Sequence, residues 1–262
     1  FRDVPYVTSP SIDDSQNYQI AATPFETVLE SIIADVEAVK EDAVRSYGEE
    51  SVENTCRITR WACYALLADL YLWKGDWQKC IDCCDMVINQ KIKEYEKEYE
   101  ENPTTMTVEL YDIYPLISES LSNSNYAGNA YTEIFGAGNS FESIFELNFV
   151  NNQSVANNTV SSFYGSSSNK TGQIGAPTFL YSDAYAGLND YFAKTDCRYL
   201  ENMSESNNKI YISKYVNQSV SFRTSTTTGA APTVNGEVRS SAYANWIIYR
   251  LTDVMLMRAE AE

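Results

Sequence analysis

Three cysteines within five positions are the first residues of this sequence that could carry chemistry. The stretch LYLWKGDWQKCIDCC contains Cys80, Cys83 and Cys84. Thiolates bind zinc and form disulfides, so this spacing raises a metal site or a disulfide with Cys56 or Cys63 as a further partner. A Cys-x-x-Cys pair inside a helix is poor zinc geometry without a second well-spaced pair. The spacing therefore favours a packing role, and the sequence predicts no metal site.

The residues around these cysteines follow the pattern of a tetratricopeptide helix pair. Such a pair places an aromatic residue, Leu, a small residue and Tyr on the first helix, and further packing positions on the second. Two helices approach closely only where the facing side chains are small, and cysteine packs as a small buried hydrophobe. The predicted scaffold packing residues are Tyr64, Leu67, Ala68, Tyr71, Cys80 and Cys84.

Hydrophobic periodicity predicts the helices that carry this pattern. A first helix is expected over Thr23–Val44, with Thr23 as its capping residue. The pair itself is expected over Thr59–Trp73 and Trp77–Ile92, separated by Gly75 and capped by Asp76. The charged run KIKEYEKEYEE that follows is predicted to be a solvated helix end.

Four segments are predicted within one intertwined domain. Residues 1–22 form an extended lead-in, and 23–102 form the helical scaffold. Residues 103–243 are rich in Ser, Asn, Thr, Gly and Tyr, and we expect an irregular ligand-binding portion with short strands such as Ser143–Phe149. Residues 244–262 begin the next helix pair. The predicted fold class is mainly α, with tetratricopeptide-like helix pairs and a long irregular, loop-rich insertion that contains short strands.

The sequence also predicts two long loops, one ion pair and the location of the tryptophans. Residues 151–171 and 217–233 are expected to be long polar loops. Arg250 and Asp253 are three residues apart, which predicts an ion pair within a helix. Trp61, Trp73 and Trp77 are predicted to pack in the core, and so is Trp246, with the edge of a pocket as its alternative.

Composition excludes several classes of function. The chain has 36 acidic and 19 basic residues, a net charge of −17, which disfavours binding to nucleic acid. It has no histidine, which excludes a Ser-His-Asp triad, a Cys-His dyad and any His-ligated zinc site within these 262 residues. Its 20 tyrosines against 10 phenylalanines indicate many rings at the boundary with water.

Two motifs connect the sequence to a known family. Arg250–Ala261 reads R-x-x-D-x-x-L-M-x-A-E-A, and Leu70–Trp77 reads L-Y-L-x-x-G-D-W. With these motifs the sequence resembles the SusD/RagB family of nutrient-binding outer-membrane lipoproteins of Bacteroidetes. Further matching stretches lie at 4–8, 31–39, 57–88, 142–149, 196–198, 214–215 and 247–262.

The resemblance implies a function that composition alone does not show. Family members are non-enzymatic, lipid-anchored proteins of the cell surface. They capture oligosaccharides or other nutrients, peptides in some branches, and deliver them to a SusC-like TonB-dependent transporter. The lipid-attachment cysteine would precede Phe1 and the closing helices would follow Glu262, so we expect a piece of a longer protein. No cofactor is implied, and a structural calcium ion stays open although no twelve-residue calcium loop appears.

Glycan sites of such proteins combine aromatic rings with amide and hydroxyl groups, because sugar C–H faces stack on rings and sugar hydroxyls need directed partners. The loop-rich portion offers three candidate stretches of this composition. The ligand-binding candidates are Tyr126 and Tyr131 with Asn123, Asn125 and Asn129 in the predicted loop 122–131, then Phe163 and Tyr164, then Tyr181 and Tyr185.

Two other functions remain open on sequence grounds. A tetratricopeptide scaffold that binds proteins or peptides would repeat its helix pair in tandem, whereas a long insertion interrupts the pairs here. A glycan-active enzyme would need two paired carboxylates, and no pair stands out among the 36 acids.

Overall fold

The computed structural model describes most of the chain, and helices dominate its first hundred residues. The described residues are 3–10, 12–13, 18–48, 51–118, 120–122, 125–127, 129–150, 156–164, 201–206, 209–212, 214–223, 233–238 and 243–262. Their helices are α1 (Phe25–Val39), α2 (Ser51–Cys56), α3 (Arg60–Lys74), α4 (Trp77–Glu101), α5 (Asn129–Tyr131), a π-helix (Thr132–Ala137), α6 (Asn158–Tyr164) and α7 (Leu251–Ala261). Their strands are β1 (Val108–Tyr111), β2 (Tyr114–Ile117), β3 (Ser120–Ser122), β4 (Asn125–Ala127), β5 (Ser143–Leu147), β6 (Met203–Ser206), β7 (Lys209–Ile212), β8 (Asn217–Arg223), β9 (Thr233–Val238) and β10 (Trp246–Arg250).

Helices α3 and α4 form the predicted hairpin. Thr59 caps α3, where its side-chain oxygen accepts a hydrogen bond from the backbone N–H of Ala62 at 3.3 Å. Gly75 ends the helix in the left-handed conformation, with φ of 77°, which glycine adopts without steric cost. The predicted helix pair is thus confirmed. Helix α4 also includes the charged run up to Glu101, so the predicted solvated helix end is part of one long helix.

The core of the scaffold lies between α3, α4 and α7. Helix α7 contributes Leu251 and Val254, which are fully buried against the hairpin. Cys80 and Cys84 face α7, and the Cys80 thiol lies 3.8 Å from the backbone oxygen of Met257. Small side chains at these positions let the helices approach closely. All six predicted packing residues are buried in this core: Tyr64, Leu67, Ala68, Tyr71, Cys80 and Cys84.

The strands of the described residues pair in antiparallel fashion. Strand β5 pairs with β10, which joins the middle of the chain to its last described segment. Strands β3, β4, β8 and β9 form a four-stranded sheet in that order, whereas β1–β2 and β6–β7 are two-stranded. The predicted strand at Ser143–Phe149 is confirmed over Ser143–Leu147.

Four segments differ from the sequence prediction. The predicted polar loop 151–171 contains helix α6 over Asn158–Tyr164. Residues 246–250, predicted as helix, form β10, because WIIYR finds a partner strand in β5 and α7 begins only at Leu251. The predicted polar loop 217–233 contains β8, whose alternating polar residues pair on both edges with β4 and β9. The predicted loop 122–131 contains β4 and α5.

The start of α1 is capped differently from the prediction. Thr23 does not cap the helix, because its backbone pairs with Val4 in an isolated bridge. Pro24 occupies the capping position, and α1 ends at Val39, five residues before the predicted end. The backbone N–H of Phe25 donates instead to the Asp3 carboxylate at 3.1 Å. The lead-in segment therefore supplies the cap that a local residue was expected to supply.

Two predicted core tryptophans lie on the surface. Trp73 is 70% exposed and Trp77 is 51% exposed, whereas Trp61 packs against the core. Trp73 follows the buried Tyr71 by two residues, so it points to the opposite side of α3. Trp77 is the first residue of α4 and lies at the tip of the hairpin.

The predicted ion pair between Arg250 and Asp253 is also wrong. Arg250 precedes α7 in an extended conformation, so only its backbone N–H donates to the Asp253 carboxylate, at 3.0 Å. The guanidinium group lies instead 3.7 Å from the carboxylate of Glu142.

Candidate functional site

Five aromatic rings from separate segments form a continuous cluster. Tyr215 lies at its centre, with its ring centroid 5.3 Å from Phe135, 5.7 Å from Tyr164 and 5.7 Å from Trp246. The rings of Tyr215 and Trp246 are stacked at 19°, whereas Phe135 and Tyr164 meet Tyr215 edge-on. Tyr131 extends the cluster through Phe135, at 5.6 Å. We call these five residues the aromatic cluster.

Four elements bring these rings together. The π-helix carries Phe135, α6 carries Tyr164, and the turn before β8 carries Tyr215. Strand β10 carries Trp246, and its pairing with β5 fixes its position. The side-chain amide of Asn157, just before α6, donates to the backbone oxygen of Ala244 at 3.0 Å. This hydrogen bond ties α6 to the segment that leads into β10.

The backbone at the centre of the cluster is strained. Tyr215 has φ of 70°, in the left-handed region that a bulky residue rarely adopts. Such a conformation costs on the order of 1–3 kcal/mol and persists where surrounding contacts hold it. The three ring contacts and the burial of the side chain supply that constraint. Burial also raises the pKa of the Tyr215 hydroxyl to about 12, so the group stays neutral at physiological pH.

The cluster is buried on one side and partly open on the other. Tyr131 and Tyr215 are buried, whereas Tyr164 and Trp246 keep part of their surface exposed. Phe163, beside Tyr164 on α6, is 40% exposed. Partly exposed aromatic rings on a fixed support offer flat apolar faces to a ligand that also has polar groups.

Two cations lie next to the cluster. The ammonium nitrogen of Lys214 lies 4.3 Å from the centroid of Phe135 and 5.7 Å from that of Tyr215. The guanidinium carbon of Arg250 lies 5.6 Å from the centroid of Phe135. Cations are attracted to the faces of aromatic rings, which stabilises this arrangement. The site therefore combines aromatic faces with positive charge.

The buried carboxylate of Glu146 links two of the segments that carry the aromatic rings. Glu146 on β5 accepts hydrogen bonds from the backbone N–H of Asn139 at 3.0 Å, the amide of Asn245 at 2.9 Å, and the hydroxyl of Ser143. Asn139 follows the π-helix and Asn245 precedes β10. Glu146 thus fixes the two segments that carry Phe135 and Trp246.

A second buried carboxylate, Glu142, holds the other end of β5. It accepts from the backbone N–H of Ile117 at 3.0 Å and from the hydroxyl of Thr252 at 2.9 Å. Its partners lie in β2 and at the start of α7, so Glu142 joins the strand region to the scaffold.

The predicted ligand residues fall into four groups. Tyr164 belongs to the aromatic cluster, and Phe163 precedes it on α6 with 40% of its surface exposed. Tyr131 is only 2% exposed, so it serves as a packing ring and is not the loop contact that was predicted. The backbone of Asn125 and Tyr126 lies in β4 and Asn129 begins α5. The candidates outside the described residues are Asn123, Tyr181 and Tyr185.

Sequence reasoning missed Phe135 and Tyr215 as site residues. Trp246 was predicted to pack in the core, with the edge of a pocket as the alternative, and Lys214-Tyr215 served only as part of the family resemblance. The apolar run WIIYR is compatible with a strand, but it continues into Leu251 and the helical pattern, so periodicity alone does not distinguish the two. No local pattern marks Phe135 and Tyr215 as neighbours, because their contact depends on the long-range fold.

Two grooves also lie in the described part of the molecule. The larger, of about 760 Å³, runs between α4 and the residues after the π-helix. Its lining is mostly charged and polar, with Lys91 paired to Glu94 at 2.9 Å. The smaller, of about 560 Å³, lies between α1, α3 and α4. The hydroxyls of Tyr64 and Tyr71 in its wall donate to carboxylates of the scaffold itself.

The five cysteines of the described residues lie in α2 and in the hairpin of α3 and α4. Cys56, Cys63, Cys80, Cys83 and Cys84 are free, so no disulfide links them. Burial raises the pKa of Cys83 to about 12, which keeps this thiol protonated. In the described residues no group of three or more metal-ligating side chains is placed to hold an ion.

None of the described helices is both long enough and apolar enough to span a bilayer.

The fold of this chain has relatives among solved structures. The structure is similar to that of a SusD superfamily protein from Bacteroides thetaiotaomicron, with 17% sequence identity and a TM-score of 0.55. That match covers 99% of this chain and 50% of the other.

Two further structures have the same fold. One is a SusD-like carbohydrate binding protein from Bacteroides vulgatus, with 14% identity, a TM-score of 0.52, and 98% of this chain and 44% of the other covered. The second is surface glycan-binding protein A from Bacteroides uniformis, with 15% identity, a TM-score of 0.50, and 100% and 50% covered. No family model matches the sequence, and no curated protein is similar to it.

At these identities the similarity establishes the fold. The chain has the SusD-like fold, which confirms at the structural level the resemblance that the two motifs predicted. It spans about half the length of the solved structures that it matches.

Proposed function

We propose that this chain belongs to the SusD/RagB family and binds oligosaccharides at the aromatic cluster. The fold supports the family, and similar structures include a carbohydrate binding protein and a surface glycan-binding protein. The cluster supports the kind of ligand, because a sugar presents C–H faces that stack on aromatic rings. Neutral amides and hydroxyls near the rings suit the sugar hydroxyl groups.

The observation that carries the proposal is the stacking of a partly exposed Trp246 on a buried Tyr215. The buried ring fixes the orientation of the exposed one before any ligand arrives. A preorganised ring loses little side-chain entropy on binding, which improves affinity. Tyr164 meets the same central ring from another side, so two exposed faces share one support.

We infer the cellular role from the family resemblance. The protein is a lipoprotein of the outer membrane, exposed at the cell surface, and it delivers captured oligosaccharides to a SusC-like TonB-dependent transporter. It binds its ligand without chemical change, so the aromatic cluster needs no catalytic acid or base.

Affinity electrophoresis on a panel of polysaccharides tests the binding function. The intact protein is expected to migrate more slowly in a gel that contains its glycan, without release of sugars. Trp246→Ala should abolish the retardation, because it removes the stacked ring. Trp73→Ala is the matched control, since Trp73 is an exposed tryptophan of the scaffold, and it should leave the retardation unchanged. Equal loss in both variants, or sugar release, would contradict the proposal.

A peptide-binding scaffold is the alternative, and the smaller groove between α1, α3 and α4 is the feature that favours it. Its Lys40 and Lys79 lie 5.3 Å and 5.1 Å from the rings of Tyr64 and Tyr71. These polar groups are already paired within the scaffold, which leaves fewer of them for a peptide. Lack of retardation on every glycan, together with binding of a peptide library by the intact protein, would favour this alternative.

A further inference from the structure

Lys214 is a partly buried cation that lacks an ion pair among the described residues. Its ammonium group contacts the faces of Phe135 and Tyr215, and these rings satisfy none of its three N–H donors with an oxygen atom. Burial lowers the pKa of Lys214, the nearby positive charge of Arg250 lowers it further, and the carboxylate of Asp253 offsets part of this shift. The protein thus holds a poorly solvated positive charge at the edge of its candidate ligand site.

Arg250 places a second positive charge beside the same ring. Its nearest carboxylate is Glu142, and the atoms are 3.7 Å apart, near the limit for an ion pair. That carboxylate is already engaged by Ile117 and Thr252. Asp253, the other acid nearby, accepts from the backbone N–H of Arg250. Both acids thus accept hydrogen bonds within the fold, and no carboxylate of the described residues forms an ion pair with Lys214.

We propose that Lys214, assisted by Arg250, binds the carboxylate of an acidic sugar, so that the ligand is a glycan containing uronic acid. This inference rests on the proposed glycan-binding function and specifies its ligand class. A charge-assisted hydrogen bond to a carboxylate is shorter and stronger than one to a neutral hydroxyl. An anionic ligand also offsets the cost of keeping two cations close together.

The position of Lys214 fits this ligand. It precedes Tyr215, whose ring is stacked on Trp246. A uronic acid carries its carboxylate at the edge of the sugar ring. The proposal requires a sugar stacked on Trp246 or Tyr164 to turn this edge towards Phe135, beside which both cations lie.

The net charge of −17 does not prevent such binding. At physiological salt, repulsion between charges separated by more than about 8 Å is largely screened. The contact between a carboxylate and Lys214 acts at hydrogen-bond distance in a partly buried site, where screening is weak. We therefore expect the preference for acidic glycan to persist at 150 mM salt, a concentration that corresponds to about that screening length.

The test compares polygalacturonic acid with its fully methyl-esterified form, in affinity gels at pH 7 and 150 mM salt. Both polymers present the same sugar faces, and only the first has free carboxylates. The wild-type protein should bind polygalacturonic acid at least about tenfold more tightly. Lys214→Gln should abolish this difference, because the variant loses the charge that distinguishes the free carboxylate from its ester. Lys97→Gln removes an exposed lysine of α4 as a charge-matched control, and it should preserve the difference.

A second variant, Lys214→Arg, and a further polymer, dextran sulfate, distinguish the possible reasons for a loss of binding. Lys214→Arg retains the cation and should retain the preference, which distinguishes charge from packing if Lys214→Gln lowers the melting temperature. Equal binding of both galacturonans would overturn the inference and leave the proposed function intact. Retardation by dextran sulfate but not by polygalacturonic acid would also overturn the carboxylate assignment. No retardation by any glycan in the wider panel would instead contradict the proposed function.

Binding should also depend on pH in a defined direction. The charged form of Lys214 binds the carboxylate, and its pKa lies below the ordinary value. Affinity for polygalacturonic acid should therefore fall as the pH rises towards 10.5, beginning earlier than for an exposed lysine. Lys214→Gln should remove this decline, and an unchanged decline in that variant would count against the inference.

Discussion

The helical scaffold and the aromatic cluster are built on opposite principles. In the scaffold, Leu67, Cys80 and Cys84 are fully buried, and the hairpin of α3 and α4 that carries them is one continuous stretch of sequence. In the cluster, rings from four distant segments meet, and Trp246 keeps part of its surface open. Complete burial maximises the hydrophobic contribution to stability, whereas incomplete burial leaves surface for a ligand. Substitutions in the scaffold should therefore change stability, and those in the cluster should change binding.

The two regions also differ in how they use the left-handed backbone conformation. The hairpin turn places Gly75 there, with φ of 77°, at no steric cost. The cluster places Tyr215 there, with φ of 70°, and accepts strain. Glycine would relieve the strain, but it would remove the central ring on which the other rings pack. The strained position thus marks a place where the ring matters more than local stability.

The largest expected effect comes from the scaffold. Leu67→Ala should lower the free energy of unfolding by about 2–5 kcal/mol, because it removes buried methyl groups and leaves a cavity between α3 and α4. Urea unfolding followed by circular dichroism measures this change. Leu256→Ala on α7 is the matched control, since Leu256 is 64% exposed, and it should change stability by less than about 0.5 kcal/mol. Similar effects of both variants would refute the assignment of this core.

Glu146 tests the connection between the two regions. Glu146→Ala should cost about 2–3 kcal/mol, because the backbone N–H of Asn139 and the amide of Asn245 lose their buried acceptor. The same change should weaken glycan binding in the folded protein, since Asn245 precedes Trp246. Thermal unfolding and affinity gels measure the two effects separately.

The control for this prediction is Glu96→Ala on the exposed side of α4. It removes a carboxylate of the same type, and stability and binding should both stay within error of the wild type. If Glu146→Ala destabilised the protein without any change in glycan binding, the carboxylate would stabilise the fold without positioning the site.

How far the sequence predicts the molecule also differs between these regions. The hairpin could be predicted, because the three-and-four spacing from Tyr64 to Tyr71 and the glycine at position 75 are local signals. Strand β10 could not, since WIIYR runs directly into a helical pattern and only its pairing with β5 decides its state. Exposure of Trp73 depends on which side of α3 meets α4, which composition does not reveal.

The sequence predicts which kind of residue forms the candidate site, but not which individual residues form it. Aromatic rings in the loop-rich portion were expected, and Tyr164 belongs to the cluster. Tyr131 was expected to be exposed to a ligand. Its ring instead packs against that of Phe135, because the π-helix that carries Phe135 begins directly after Tyr131. Phe135 and Tyr215 meet only after the chain has folded, so no window of sequence contains their contact.

The smallest expected effect separates packing from thiol chemistry at Cys84. As a small apolar filler, Cys84 should tolerate alanine at a cost of about 1 kcal/mol, whereas serine should cost about 1 kcal/mol more because its hydroxyl is buried. Urea unfolding of Cys84→Ala and Cys84→Ser measures this difference. A site that needed the thiolate would make the two variants equally unstable, since both lack sulfur. Burial keeps the pKa of this thiol above its ordinary value, so the native protein should also react slowly with a thiol reagent at pH 8. Rapid reaction of the folded protein at the hairpin would show that α3 and α4 do not enclose Cys84 as tightly as the scaffold requires.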